Sequence, residues 1–258
     1  MSTVRVFYVI GCVSLLFLLI YTVVNLNVTW LLASLIYYYF IGIVGLSIGY
    51  HRYFSHRSFE TDNARKCILL FTNLLSGQGS LLVQASIHRH HHAYSDTERD
   101  VHSSKESLFD QFFFFLKNEN YFIKEKRIRV AGDLLKDRHV VFFHKHYLKI
   151  WMLVVGVSML INVKILFLLI FPAIGLAFLH TNFIRTFISH RKLSRSYRNF
   201  ETSDLSYNTM KWQYFSLGEG LHNNHHANPS LGNQAVYQSE FDPVWYIIKK
   251  FFLRVDNK

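Results

Sequence analysis

Four apolar runs, 4–24, 28–50, 147–161 and 165–188, decide what this chain can fold into. A helix needs about 20 apolar residues to cross a bilayer core. Hydrocarbon offers no partner to backbone N–H and C=O groups, and a helix satisfies its own. The apolar residues come in long stretches rather than in alternation, so the reading is an all-α integral membrane protein. The breaks between runs are short. Asn25-Leu26-Asn27 joins the first two and Asn162-Val163-Lys164 the last two. Each pair therefore forms a hairpin, giving four transmembrane helices in two hairpins.

This divides the 258 residues into 1–50, the first transmembrane hairpin; 51–146, a cytosolic segment; 147–190, the second hairpin; and 191–258, a cytosolic C-terminal segment. Together they make one domain. Basic residues outnumber acidic ones by 28 to 17, a net charge of +11. Lys and Arg beside membrane spans mark the cytoplasmic side and attract anionic lipid. The prediction is a multi-pass protein with both termini cytoplasmic, in a bacterial inner membrane or, in a eukaryote, the endoplasmic reticulum. The same charge does not indicate nucleic acid, because it sits beside spans and no recognition motif accompanies it. Cys12 and Cys67 form no C-x-x-C pair and imply no disulfide framework. The first run has the length of a span and lacks a small-residue cleavage pattern, so no cleavable signal peptide is expected.

Three histidine clusters follow the spans. His51 and His56 open the first cytosolic segment; His88, His91 and His92 repeat as H-x-x-H-H; His222, His225 and His226 repeat that spacing. On a helix, positions i, i+3 and i+4 share a face, so three imidazoles of one cluster point into one space. An i, i+5 pair such as His51 and His56 aligns poorly unless the helix ends or bends. Adding His190, just past the last run, makes nine candidate ligands. One tetrahedral zinc uses four at most. Two metals sharing nine imidazoles each keep an open position, which suits iron that activates O2. Asp96, Glu98, Asp100, Asp204 and Glu219 are close enough in sequence to hold the ring N–H groups. Such an oxidant at the mouth of four greasy helices is placed for an acyl chain. Arg52, Arg57, Arg89 and Arg99 are then placed to meet an anionic head group. Gly42, Gly45 and Gly49 suit close helix packing. The stretch 68–87 reads as a re-entrant or interfacial helical pair, and His180 as a polar group inside the fourth span.

The residues His51-Arg-Tyr-Phe-Ser-His56-Arg, His88-Arg-x-His91-His92 with Ser95-Asp96-Thr97, and Gly218-Glu-Gly-x-His222-Asn-Asn-His225-His226 resemble the three histidine boxes of the membrane fatty acid desaturases. The match is closest to the stearoyl-CoA (delta-9) branch in its bacterial form. The resemblance implies a mushroom-shaped fold with a cytosolic helical cap over the four spans. It implies a di-iron centre on His51, His56, His88, His91, His92, His190, His222, His225 and His226, with zinc replacing iron on overexpression. It implies that O2 and two electrons convert a saturated acyl-CoA or phospholipid acyl chain to a cis alkene. Electrons would come from ferredoxin, a rubredoxin-like protein or cytochrome b5, through a reductase. Thr186 stands where the family usually has an Asn that holds a metal-bound water. Gln84 stands where it usually has Trp, and Asp100-Val101-His102 replaces Asp-Pro-His. By spacing, Gln78, Gln84 and Asn182 fall where the family lines the bend of its acyl tunnel.

An acyl-chain hydroxylase, a ketolase or a specialised-lipid desaturase would use the same scaffold. A membrane metal-binding or transport protein is a different class. It would place its ligands near the bilayer midplane in broken helices, whereas these clusters lie beyond the span ends.

Overall fold

The computed structural model describes residues 3–101, 107, 109, 113, 116, 131–183 and 189–254. Among them there is no strand, only isolated bridges at Tyr197–Asn208 and Asn208–Leu221.

Helix α1 (Thr3–Asn25) is apolar all round, and one stripe of it is packed. Val4, Phe7, Tyr8, Gly11, Ser14 and Leu18 recur at three- and four-residue steps and are buried. Val13, Leu16, Ile20 and Val23 on the other side stay exposed, the surface expected of a helix standing in lipid. The buried stripe lies on α7, which runs from Ile165–Ile170 into Phe171–Phe183. The two backbones nearly touch. A Cβ on Gly11 would come within 2.7 Å of the Gly175 nitrogen. Pro172 sits at the seam where α7 passes from i→i+5 to ordinary i→i+4 winding, where a missing N–H is tolerated.

Helix α2 (Thr29–Phe40) does not stop at Tyr50. It continues through Ile41–Ser55 with i→i+5 (π) hydrogen bonding, so His51 lies inside the helix rather than past its end. The glycines of this stretch make room for neighbours. A Cβ on Gly45 would sit 2.6 Å from the Thr72 carbonyl, and one on Gly42 would strike the Leu217 side chain. Thr72 belongs to α3 (Asn63–Leu75), capped by Asp62, whose carboxylate accepts the Arg65 N–H. A turn with Gly77 (φ 71°) and Gly79 (φ 95°) leads into α4 (Leu81–Tyr94). The expected helical pair is therefore present.

Helices α5 (Arg138–Lys145) and α6 (Tyr147–Ile161) meet at a bend of 61°. Two short helices follow, α8 (His222–Ala227) and α9 (Pro243–Ile247), which continues through Ile248–Phe252. Three helices, Thr3–Asn25, Thr29–Ser55 and Ile165–Phe183, are long and apolar enough to span a membrane; the bent α5–α6 pair would make a fourth.

Two apolar cores are stacked along α2. Its Ile41 and Leu46 belong to the one between the long helices, with Phe7, Trp151, Phe171 and Phe178. Its Ile48 and Phe54 belong to the other, with Leu69, Leu81, Val244 and Ile248. The first cluster histidine, His51, is thereby held by a rod anchored in both cores.

Candidate metal centre

The histidines converge as two sets. His51, His56, His88, His92 and His225 form one, called here the His51 group. His91, His190, His222 and His226 form the other, the His91 group. Within each set the candidate ligand atoms all lie within 4.8 Å of one another. Each H-x-x-H-H motif is shared between the groups rather than pointing into one space. On α4, His88 and His92 serve the first group and His91 the second; on α8, His222 and His226 serve the second and His225 the first. The reason is angular. The i+3 residue lies about 60° to one side of i, and i+4 about 40° to the other. A motif on the divide between two sites therefore feeds both.

The π winding of α2 explains the pair that looked misaligned. His56 N–H donates to the His51 carbonyl five residues back (3.2 Å), so i and i+5 stack along one face. Both rings reach the same group, with centroids 5.0 Å apart.

Ring nitrogens face one another across each group. Nε2–Nε2 separations are 2.9 Å for His51–His225, 2.7 Å for His56–His88, 3.1 Å for His225–His92 and 3.0 Å for His190–His222. Two imidazole ligands at right angles on one ion, with bonds of about 2.1 Å, would stand about 3.0 Å apart. The opposite ring nitrogens show why Nε2 is the free one. His51 Nδ1–H donates to Glu219 (2.9 Å), His91 to Asp100 (3.0 Å), His190 to Asp96 (2.8 Å) and His226 to Asp204 (2.8 Å). This fixes the tautomer and leaves an Nε2 lone pair aimed inward. His226 Nε2 is buried with no hydrogen-bond partner. Burial, and after it the neighbouring imidazoles, pushes His56, His88, His92, His222, His225 and His226 well below the ordinary histidine range. Neutral rings are what a metal requires. Burial pushes the Glu219 carboxyl up, but His51, Arg52 and the Ser47 hydroxyl outweigh it, and the net shift is downward. The donor set fits metal ions.

Four of the five suggested carboxylates thus sit against a ligand ring, and Glu98 is exposed. The short helix α8 is pinned by residues that are not themselves candidate ligands. Asn208 Oδ1 accepts the Asn223 and Asn224 N–H groups, and Asn224 Nδ2 donates to Glu240 and the Gln234 carbonyl. Asn199 donates to Asn224 and Glu240. The two Asn between the His of the third box were the available signal.

Arg52 is corrected most. It is 1% exposed, and its guanidinium grips Asp242 with both terminal nitrogens and donates to the carbonyls of Gly218 and Gly232. It ties α2 to the third box and meets no head group. Removing one partner of such a buried pair costs about 3–5 kcal/mol. Arg89 is also occupied, with Asp133 and the Phe54 and Ser55 carbonyls. Arg57 pairs with the same Asp133. Burial raises the Asp133 carboxyl, but Arg89 and Arg57 bring it down to about 2. Arg99 is exposed and lies over the Tyr94 ring at 5.5 Å.

A cavity of about 120 Å³ connects the apolar helices to both groups. Gly42, Leu46, Tyr50, Gln78, His180, Thr181 and Leu217 line it together with His51, His88, His91 and His222. Gln78 is on the wall, donating to Thr181 (3.1 Å). Gln84 is not; its amide is bonded to Asn73 and the Gly79 carbonyl. Asn182 is buried but does not line the cavity. His180 does, its ring tilted against Tyr38 at 5.5 Å. Thr186 and His102 lie outside the described residues.

The sequence was compared with known proteins. The family model "Fatty acid desaturase" matches residues 5–256. Delta-9 acyl-lipid desaturase 2 of Arabidopsis thaliana is 29% identical over 215 residues, covering 83% of this chain and 69% of its own. Acyl-CoA 5-desaturase AL21 of Anemone leveillei is 30% identical over 229 residues, covering 85% and 67%. The sn-2 palmitoyl-lipid 9-desaturase of Nostoc sp. (strain 36) is 24% identical over 211 residues, covering 81% and 73%.

Proposed function

Because the chain belongs to the fatty acid desaturase family and is an oxidoreductase of that kind, we propose that it is a membrane di-iron desaturase placing a cis double bond in an acyl-CoA or acyl-lipid, at delta-9 as in the Arabidopsis and Nostoc relatives rather than at position 5 as in the Anemone one. The observation that carries this is the lining of the cavity. Apolar residues of the long helices share it with His51, His88, His91 and His222, which come from both imidazole groups. Its Leu46, Tyr50 and Leu217 suit a methylene chain.

The nine imidazoles would hold two irons, which when bound would supply the O2-dependent abstraction of hydrogen from carbon. The balance is one saturated C–C unit, O2, two electrons and two protons to one alkene and two waters. The chain's own residues do the rest. Asp96, Asp100, Asp204 and Glu219 keep the Nδ1 protons and orient the rings. The helices exclude water from the reacting carbons. Electrons enter from a ferredoxin, rubredoxin-like or cytochrome b5 donor and its reductase. The α5–α6 pair supplies the fourth span, the imidazoles lie on the cytoplasmic side under a helical cap, and both termini share that side.

Expression in a desaturase-deficient host, with localisation of double bonds in the fatty acids, tests the reading. The expected product is two hydrogens lighter than its substrate. A product one oxygen heavier would make the protein a hydroxylase, and one that gains an oxygen but loses two hydrogens would make it a ketolase. About two irons per chain are expected; a single redox-silent zinc in protein expressed with ample iron, and no lipid product, would favour a metal-binding protein.

A further inference from the structure

The chain between Asn208 and Leu221 forms a pinched loop that supplies no ligand. At its base Asn208 bridges Leu221, and the Thr209 N–H donates to the Gly220 carbonyl (2.6 Å). Gln213 is buried beneath it, accepting the Gly220 N–H (2.6 Å) and donating to the Phe241 carbonyl. The base is thus fixed to the C-terminal segment.

The inner side of this loop belongs to the cavity, whose wall includes Ser216 and Leu217. Leu217 packs on Gly42, which lies nine residues before His51 in the apolar helix Thr29–Ser55. That is on the order of 10–14 Å along the helix axis. The loop therefore reaches down the span instead of staying level with the imidazoles. To do so Leu217 adopts φ 55° and Gly218 φ 89°. Left-handed backbone is strained for a leucine, and its packing offsets the strain.

The outer side is aromatic and basic. Tyr214 is 68% and Phe215 65% exposed. Trp212 stacks edge-on to Phe215 at 5.8 Å, and the Lys211 ammonium lies 5.5 Å above the Trp212 ring. Nearby on the same apolar helix, Ile36 and Phe40 are also exposed. Rings with a basic neighbour beside an apolar span suit the boundary between head groups and acyl chains.

We propose that this loop is a bilayer contact, with Trp212, Tyr214 and Phe215 seated at the head-group–acyl boundary and Lys211 against anionic head groups. The loop then forms the partition between the cavity and the lipid. The proposal rests on Thr29–Ser55 being a membrane span and not on the chemistry performed.

The test is hydroxyl-radical footprinting of the full chain in nanodiscs of phosphatidylcholine and phosphatidylglycerol. Tyr214 and Phe215 are compared with Tyr237 (56% exposed) and Phe251 (55% exposed). Tyr214 and Phe215 should lose most of their oxidation relative to those two. Equal oxidation would overturn the proposal, as would protection that appears only when a soluble redox protein is added. A second measurement labels Phe215→Cys with bimane in a Cys12→Ser, Cys67→Ser chain. Spin-labelled lipid should quench it and aqueous iodide should not; the reverse pattern would overturn the proposal. Neither readout needs turnover, so an inactive protein still gives an answer.

Discussion

The two imidazole groups share helices α4 and α8 yet are supported differently. Around the His91 group, Asp96, Asp100 and Asp204 each accept a ring N–H. The His51 group has more rings and, among the described residues, a single such carboxylate, Glu219, which also accepts the Ser47 hydroxyl. The aspartates also fasten loops. Asp96 accepts the Leu205 N–H, Asp100 the Asp96 N–H, and Asp204 the hydroxyls of Thr202 and Ser206. One site relies on charge and loop ties to hold its rings, the other on the number of rings and on two apolar cores. Charge-assisted hydrogen bonds are roughly twice as strong as neutral ones. The His91 group should therefore keep its geometry, and its metal, better.

Removing a ring tests the groups most severely. His225→Ala should abolish unsaturated product and lower bound metal from two ions toward one, while membrane insertion persists. His222→Ala should do the same from the other side. Full metal content in either variant would remove that ring from the ligand set. Next in size is Asp96→Asn, expected to weaken metal binding at the His91 group about 10–100-fold. Competition with a chelator would read it. Glu219→Gln should weaken the His51 group by about tenfold, at the low end of that range. If Glu219→Gln costs more than Asp96→Asn, the comparison is backwards.

A further expectation concerns pH. Six of the rings have folded pKa values pushed below the unfolded value of about 6.5. Below that pH the unfolded chain binds more protons. Stability of the metal-free protein should be full above about 6.5 and fall as pH drops, by up to about 1.4 kcal/mol per pH unit for each ring concerned. Denaturation followed from pH 7.5 to 5.5 checks this. A metal-free protein that grew more stable on acidification would contradict it.

The convergence of distant histidines was legible because residue type and spacing recur. The division of each box was not, since it depends on where a second helix stands. Arg52 looked like a surface cation beside a span. Its true partner, Asp242, is 190 residues away and invisible to local reasoning. The end expected for the second helix at Tyr50 failed for a similar reason: apolarity stops there, but the backbone winding does not. The carboxylates were half legible. Four of the five suggested are in place, and exposure separates Glu98 from them. The Asn199–Asn208–Glu240 scaffold under α8 left only a faint trace, because asparagine is ordinary in loops.

The wide winding of Ile41–Ser55 has one more consequence. That stretch carries Gly42, Leu46 and Tyr50 on the cavity wall as well as His51 and the approach to His56. Tightening it to 3.6 residues per turn would swing the i and i+5 positions to about 140° apart. The slot and its imidazoles would turn together on a single shaft, so whatever loosens one detunes the other.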